Sequence, residues 1–182
     1  MGNRLEALIL KGIYSVNKHV KTQSDLYNVA SSLIIGWREW VSLPELGLPA
    51  IKAKVDTGAK TSALHAFRIK RITHDGRDSV HFYIHPLQKN STLVQECIAP
   101  ILDQREVTDS GGHKELRYVI ESRLSIGKFA YNIEMTLTAR DDMRFRMLLG
   151  RQGIRPSMLV NASESFLLKR LKAKDLYAKQ NT

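Results

Sequence analysis

The sequence predicts an all-β domain whose strands form a closed or nearly closed barrel. From Leu33 onward, short runs of apolar residues alternate with polar ones, which is the periodicity of half-buried strands. Residues that favour turns separate several of these runs: Pro44 through Pro49, Asp75-Gly76, Asn90-Ser91, Gly111-Gly112 and Gly127-Lys128. With 182 residues, 43% of them hydrophobic, the chain can bury one sizeable core, so we expect one domain with extensions.

The predicted strands lie within a barrel domain of residues 31–168. In chain order they are Leu33–Leu43, Ile51–Val55, Ala66–Thr73, Ser79–His85, Val94–Val107, Leu116–Ser125, Phe129–Thr138 and Met147–Leu149. Side chains alternate along a strand, so the odd-numbered residues from Tyr131 to Leu137 share one face of the strand Phe129–Thr138. All four are apolar or aromatic, and we expect this face in the core.

Short extensions are expected on both sides of this domain. Residues 1–30 are predicted to be an N-terminal extension, helical or loose, because Leu5, Leu8 and Ile9 have helical spacing. Residues 169–182 are predicted to be a basic C-terminal tail. The overlapping stretch Phe166–Tyr177 is open to several interpretations: a strand at its start followed by a short basic helix, or a loose solvated end.

The strongest functional signal is the motif Asp56-Thr57-Gly58-Ala59, which follows the predicted strand Ile51–Val55 directly. Aspartate, threonine and glycine are common turn residues, so this motif alone would most often indicate only a loop. A carboxylate on a tight loop at the end of a buried strand is also a possible catalytic acid or base. A second signature, Met147-Leu148-Leu149-Gly150-Arg151-Gln152, follows about ninety residues later.

The sequence resembles the retropepsin-like aspartic proteases through Val55–Ala59 and Leu148–Arg151, whose order and spacing match the plan of that family. It is more similar still to a bacterial group known as ATP-dependent zinc proteases. The segments that carry this closer similarity are Gly36–Trp40, Val55–His65 and Met147–Ile154. The resemblance extends over roughly Leu33 to Leu168. It implies a closed acid-protease barrel and the hydrolysis of peptide bonds.

The resemblance also implies a mechanism. In aspartic proteases two carboxyl groups share one proton, so one removes a proton from water while the other donates a proton to the substrate carbonyl. This sequence contains one Asp-Thr-Gly, so the resemblance implies a homodimer in which each subunit supplies Asp56 and the monomer is inactive. By resemblance, Thr57 bonds across the interface, and Gly58 lets the backbone approach the two carboxylates and the substrate.

The segment Arg105–Arg117 matches the position of the flap that closes over substrate in retropepsins. Gly111 and Gly112 would form its tip, because glycine readily adopts the positive φ that a hairpin turn needs. The alternative is an exposed hairpin without a role in binding. The residues that the resemblance assigns to substrate binding are Ala59, Lys60, Gly111, Gly112 and Arg151.

Lys60 departs from the retroviral pattern, which has an acidic residue at this position that pairs with the arginine of the second signature. Arg151 therefore loses that partner, and the pocket gains positive charge. The whole chain has 28 Lys and Arg against 18 Asp and Glu, a net charge of +10, so we expect acidic peptide substrates.

Members of the similar bacterial group are associated with ATP-grasp ligases that add glutamates to protein C-termini. This association suggests a glutamate-tailed protein as substrate and such a ligase as a functional associate. Arg68, Lys70 and Arg71 would then be expected around the cleft.

The residues predict no cofactor, and zinc and ATP enter only through the name of the similar group. The sequence has no His-Glu-x-x-His motif, and its single cysteine, Cys97, argues against the common multi-cysteine zinc sites. His81 and His85 would lie about 13 Å apart on a straight strand, which is too far for one ion. We therefore expect no metal site.

Other functions remain open at this point. The barrel could have lost catalysis and bind peptides, or it could bind nucleic acid or the ribosome, since a net charge of +10 attracts phosphate. A zinc-dependent peptidase, as the group name suggests, is a further alternative. No apolar run is long enough to cross a bilayer, so we expect a cytoplasmic protein without a membrane partner.

Overall fold

The computed structural model of this chain describes residues 32–108, 111–139 and 145–179. The predicted extension of residues 1–30 lies outside these ranges and stays a prediction. The chain divides by its contacts into Met1–Leu33 and Ile34–Thr182, and nearly all described elements belong to the second unit. No described helix is both long enough and apolar enough to span a membrane.

The described residues form twelve strands and one α-helix. The strands are β1 (Leu33–Gly36), β2 (Arg38–Leu43), β3 (Leu48–Val55), β4 (Ser62–His65), β5 (Phe67–His74), β6 (Arg77–Ile84), β7 (Gln95–Pro100), β8 (Asp103–Thr108), β9 (Lys114–Ile126), β10 (Phe129–Thr138), β11 (Met147–Leu149) and β12 (Met158–Asn161). The helix α1 covers Ala173–Ala178, and short 3₁₀ turns occupy Pro44–Leu46 and Arg151–Gly153.

Six strands form a nearly closed ring. Strands β10, β4, β11, β3, β2 and β9 follow one another as hydrogen-bonded neighbours, and β9 also pairs with β10, which brings the ends of the sheet together. Ser42 and Ser125 form the single register pair between β2 and β9 in the described chain, so closure is incomplete there. The ring confirms the predicted mostly β architecture, and β8 adds to the outer edge of β9.

Apolar side chains from the strands of this ring form the core. The fully buried ones include Leu43, Ile51, Leu64, Leu124, Met135 and Leu149. Each removes a large apolar side chain from water, which contributes about 1.5–3 kcal/mol before entropy is counted. The predicted inward face of β10 is confirmed from Ile133 to Leu137. Tyr131, at its start, is partly buried and donates a hydrogen bond of 2.6 Å to Gly153 O.

A separate antiparallel sheet contains β5, β6 and β7, and its strands pair in the same order as they occur in the sequence. One of its faces is buried and consists of Val80, Phe82, Ile84, Cys97 and Ala99. Cys97, the single cysteine, is a free thiol buried on this face. Most residues of β5, one edge strand of this sheet, are exposed.

Two long predicted strands are each divided in the structure. Leu33–Leu43 breaks at Trp37, whose N–H donates to Glu164 O, so that β1 pairs with β12 while β2 pairs with β3. Val94–Val107 breaks at Ile101 and Leu102, because β7 pairs with β6 and β8 pairs with β9. Both breaks become visible only through the choice of partner strand.

Two short strands, β4 and β12, are absent from the prediction. Every residue of β4 is buried, so its sequence lacks the alternation that reveals a half-buried strand. The four residues of β12 show no clear alternation of burial either.

The C-terminal segment packs on the ring and includes a short helix, which was one of the open interpretations. The Tyr177 hydroxyl donates a 2.8 Å hydrogen bond to Ala50 O in β3, and Tyr177 is buried. The fully buried Glu39 carboxylate accepts hydrogen bonds from the backbone N–H groups of Gly36 and Leu167, at 2.7 and 2.9 Å. One side chain of β2 thus joins β1 to the segment before α1.

Candidate active site

Asp56 lies directly after β3, where the chain leaves the ring. Its Oδ1 atom accepts hydrogen bonds from the backbone N–H groups of Gly58 and Ala59, at 3.1 and 3.3 Å. In the part of the chain that the structure describes, Oδ2 has no hydrogen-bond donor and is available to water or substrate. A Cβ atom on Gly58 would lie 3.3 Å from Asp56 Oδ1, so even alanine would crowd this carboxylate.

The second signature holds the Asp56 loop from the neighbouring strand. Strand β11 runs parallel to β3, so both signatures leave the ring at the same edge. The Asp56 N–H donates to Leu149 O at 2.9 Å, and the Arg151 N–H donates to Ala59 O at 2.9 Å. The two motifs, far apart in sequence, are therefore adjacent in space, as a shared site requires.

The Arg151 side chain braces the loop. Its Nη1 atom donates hydrogen bonds of 2.8 Å to Thr57 O and of 2.8 Å to Gly58 O. The acidic partner that the retroviral pattern would supply at position 60 is replaced here by two backbone carbonyls. A guanidinium on two carbonyl oxygens limits the movement of the peptide units next to Asp56.

A cavity of about 980 Å³ opens beside Asp56. The loop after β3, the strand β8, the start of β9 and the end of β10 form its walls. Predicted site residues that line it are Asp56, Gly58, Ala59 and Lys60. Predicted site residues outside its described lining are Thr57, Gly111, Gly112 and Arg151.

The predicted flap is a hairpin of β8 and β9. Gly112 has φ of 82°, the positive value expected at its tip. Residues 109 and 110 lie outside the described ranges. Side chains from the stem of the hairpin, from Arg105 to Thr108 and at Arg117, line the cavity beside Asp56, while a role of its tip as a flap stays a prediction.

Charged side chains of both signs line the cavity in equal number. They are Lys60, Arg105 and Arg117 against Asp56, Glu106 and Glu134. The positive charge expected from Lys60 is therefore balanced within the described lining. The basic residues expected around the cleft lie elsewhere: Arg68, Lys70 and Arg71 are on β5 and outside this lining.

Arg105 and its partners form the densest charge cluster of the site. Its Nη1 atom bonds Glu134 Oε2 at 2.6 Å, and its Nε atom bonds Asp103 Oδ2 at 2.7 Å. The hydrogen bonds to Glu134 and then to Asp103 raise the pKa of Arg105. The same contact with Arg105 lowers the pKa of Asp103.

Several lining residues were not assigned to substrate binding from the sequence, among them Arg105, Arg117, Glu134, Thr136 and Thr138. For the residues of β10, the sequence did contain a signal: the odd-numbered residues form the core, while the even-numbered residues toward the end of the strand are polar and share the opposite face. Threonines that are buried on the second face of a strand indicate that this face is also covered. Only the closed ring shows that a cavity covers them.

His81 and His85, which were considered as metal ligands, bond different partners and do not form a common site. His81 Nε2 bonds Glu96 Oε1 at 2.6 Å, and His85 Nδ1 bonds Leu93 O at 3.2 Å. Within residues 32–108, 111–139 and 145–179, no three His, Cys, Asp or Glu side chains form a group that could hold a metal ion.

Comparison with known proteins agrees with this geometry. The family model described as RimB-like, retropepsin-like aspartic endopeptidase RimB, matches residues 34–171. A crystal structure of a protein of unknown function from Legionella pneumophila is 26% identical, with a TM-score of 0.61, over 75% of this chain and 98% of that one.

Curated relatives carry a different name. A probable alpha-L-glutamate ligase of Shewanella pealeana is 44% identical over 138 residues, which are 76% of this chain and 30% of the relative. A protein of the same name from Parasynechococcus marenigrum is 46% identical over 146 residues, which are 80% of this chain and 31% of that relative. The chain thus spans about a third of their length. On the family match and the paired signatures, this chain belongs to the RimB-like family of retropepsin-like aspartic endopeptidases.

Proposed function

We propose that this chain is a homodimeric peptidase that cleaves acidic peptide segments, including glutamate tails, with a water molecule activated between two Asp56 carboxylates. The observation that carries the proposal is the Asp56 loop, which opens onto a large cavity and is held by the second signature. Membership in a family of aspartic endopeptidases supports the same chemistry.

The reaction needs two carboxyl groups. The anionic Asp56 takes a proton from water, whose oxygen bonds to the peptide carbonyl carbon, while the protonated Asp56 of the partner subunit donates its proton to the carbonyl oxygen. Collapse of the tetrahedral intermediate breaks the C–N bond, and the leaving amine takes up a proton. Two carboxylates close together favour one shared proton because both cannot ionise cheaply.

Surface features support a dimer. Thr57 and Gly58 are exposed at the tip of the loop, where a two-fold partner would meet them. Ile34 on β1 and Leu159 on β12 are 52% and 40% exposed, and both belong to the same two-stranded sheet. An exposed apolar sheet of this kind favours association with a second copy.

The acidic substrate is supported by charge and by the relatives. A net charge of +10 raises the local concentration of anionic peptides near the protein. Proteins named as glutamate ligases contain a region similar to this chain, so a protein that removes glutamates would act on the product of that chemistry. An ATP-grasp ligase is accordingly proposed as a functional associate.

The first experiment compares hydrolysis of a glutamate-tailed peptide by the wild type and by Asp56→Asn, with chelator present, from mildly acidic to neutral pH. Asparagine has nearly the shape of aspartate, so the fold should persist while hydrolysis is lost. Asp75→Asn, at the exposed tip of the β5–β6 hairpin, is the matched control and should keep full activity.

Activity that survives the chelator and disappears in Asp56→Asn alone would support the proposal. Hydrolysis that the chelator removes would contradict the metal-independent mechanism. Hydrolysis that persists in Asp56→Asn would show that another group performs the reaction.

A further inference from the structure

Arg117 and Thr138 lie where two paired strands separate. The ladder between β9 and β10 ends with Val119 opposite Thr136. If this register continued for two more residues along each strand, Arg117 would lie opposite Thr138, on the same face of the sheet as Val119 and Thr136. The strands are no longer paired there, and both residues line the cavity beside Asp56. The end of the ladder therefore leaves a space between one basic and one hydroxyl side chain.

Arg117 is a nearly buried charge whose hydrogen bonds are incomplete. Its side chain is 8% exposed, and its Nε atom bonds Glu115 Oε2 at 2.6 Å. Its two terminal nitrogens have no acceptor among the residues that the structure describes. Neither nitrogen is among the fully buried unpaired atoms of the described chain, so water or a ligand can reach both, and a guanidinium has five N–H donors to offer. An anionic group in the cavity would complete these bonds.

The neighbouring arginine is different. Arg105 lies directly opposite Arg117 in the β8–β9 ladder, and like charges in this position repel each other. Arg105 is neutralised by two carboxylates, Asp103 and Glu134, whereas Arg117 has one contact with the partly exposed Glu115. The cation of the pair that can accept a further anion is therefore Arg117.

Thr138 provides an independent observation at the same place. It is 1% exposed, and its Oγ1 atom has no hydrogen-bond partner within the described ranges. Thr136, two residues earlier on the same face, uses its hydroxyl to donate to Ser62 O. Thr138 lines the cavity, so rotation of its side chain about χ1 can turn this unpaired hydroxyl toward a ligand there.

We propose that Arg117 and Thr138 form a subsite that binds a carboxylate of the peptide substrate and gives the enzyme its preference for acidic residues. The terminal nitrogens of Arg117 donate to the carboxylate oxygens, and the Thr138 hydroxyl donates to one of them. This inference rests on the proposed function, since it names the group of the substrate that the cavity recognises.

Binding to a catalytically disabled protein tests the subsite without depending on turnover. Fluorescence anisotropy would measure the affinity of the Asp56→Asn protein for a labelled peptide with a glutamate tail and for its glutamine counterpart. We expect the glutamate peptide to bind about tenfold or more tightly. Each peptide is also prepared with a C-terminal amide, which separates a side-chain carboxylate from the terminal one.

Variants are then added to the Asp56→Asn protein. Arg117→Gln should weaken binding of the glutamate peptide about tenfold and leave the glutamine peptide unchanged. Thr138→Val, which has almost the same shape and removes an unpaired hydroxyl, should reduce the preference a few-fold without lowering thermal stability. Arg123→Gln removes an exposed positive charge from the same strand, β9, outside the cavity lining, and serves as the matched control.

Loss of the preference in Arg117→Gln and Thr138→Val, but not in Arg123→Gln, would support the subsite. A preference that disappears only with the C-terminal amide would identify the terminal carboxylate as the bound group. Equal affinity for both peptides, or a preference that Arg117→Gln and Thr138→Val retain, would overturn the inference. Since binding is read separately from hydrolysis, failure of the subsite and failure of the proposed reaction are distinguishable.

Discussion

At the scale of single residues, the position of Asp56 depends on backbone groups from two parts of the chain. Its own loop donates two N–H groups to Oδ1, and the carbonyl of Leu149 accepts its N–H. Arg151 then bonds two carbonyls of that loop. A catalytic group must be held to within a fraction of an ångström, so the residues that hold the loop should affect turnover.

Arg151→Met tests this role. The variant removes both bonds from Nη1 to the loop, and we expect kcat to fall by about ten- to a hundredfold because Asp56 is less well positioned. Steady-state hydrolysis of the glutamate-tailed peptide would measure it. Arg155→Met changes another exposed arginine nearby in sequence and should have little effect. An unchanged kcat in Arg151→Met would show that Arg151 is not needed to position Asp56.

Cys97 predicts a pH dependence of stability. Burial raises the pKa of its thiol to about 12 from 9.0, so the folded protein holds this proton more tightly than the unfolded chain. The resulting stabilisation is complete below the unfolded value and is lost as pH rises toward the folded value.

The wild type should lose stability between about pH 9 and about pH 12 more steeply than Cys97→Ala, by on the order of 1–3 kcal/mol. Urea unfolding at several pH values would measure the difference. Burial also raises the pKa of Tyr177, and this contribution has the same sign in both proteins. Equal slopes in the two proteins would contradict the assignment to Cys97.

At the scale of elements, the site depends on the close crossing of two segments. A Cβ atom on Gly150 would lie 2.6 Å from the carbonyl carbon of Thr61 and 2.9 Å from Lys60 O. These are backbone atoms, which cannot move aside as a flexible side chain can. Any residue other than glycine at position 150 would therefore push the second signature away from the segment that follows the Asp56 loop.

Glu39 joins elements in a different way, and its removal should loosen the C-terminal segment. Its carboxylate is fully buried and accepts the N–H groups of Gly36 and Leu167. Both donors bond the same oxygen, Oε1, so in Glu39→Gln a neutral amide oxygen accepts them more weakly, while the amide NH2 faces the N–H of Leu168, which is 3.5 Å from Oε2. We expect a loss of about 1–3 kcal/mol of unfolding free energy. Denaturant unfolding would measure it, and limited proteolysis should cut faster near Lys169.

Glu121→Gln is the control for this prediction. Glu121 is exposed and accepts a hydrogen bond of 3.1 Å from Asn132, so its replacement should change stability by less than about 0.5 kcal/mol. If the two variants are equally stable, Glu39 does not join these elements as described.

At the scale of the whole molecule, we expect activity to depend on protein concentration. One chain carries one Asp-Thr-Gly, so activity per chain should rise with concentration and level off as dimers form. Ile34→Asp places a charge on the exposed apolar sheet of β1 and β12. This variant should shift dimerisation to at least about tenfold higher concentration, because the charge would be buried between subunits.

Analytical ultracentrifugation and activity assays across the same concentrations would check this prediction together. Leu102→Asp, at another exposed leucine outside this sheet, is the control and should dimerise normally. Full activity at concentrations where the protein is entirely monomeric would contradict the two-carboxylate mechanism.

The sequence predicted correctly those features that depend on neighbouring residues. Alternation identified β3, β6 and β10 because apolar residues alternate with polar ones in each, and the motif at Asp56 followed from a strand that ends in a tight loop. The adjacency of Asp56 and Arg151 was also anticipated, through the resemblance. Strand β4 was not found, since burial on both faces removes the alternation.

By itself, then, the sequence determined the mostly β class, the inward face of β10 and the two signatures of an aspartic endopeptidase, since each of these is written in neighbouring residues. Only the tertiary structure decided which strands pair, where Leu33–Leu43 and Val94–Val107 divide, and which charges share the cavity with Asp56. The physical reason is that strand pairing and cavity lining bring together residues far apart in the chain. These contacts form only when the ring closes, so a pattern of neighbouring residues in the sequence does not predict them.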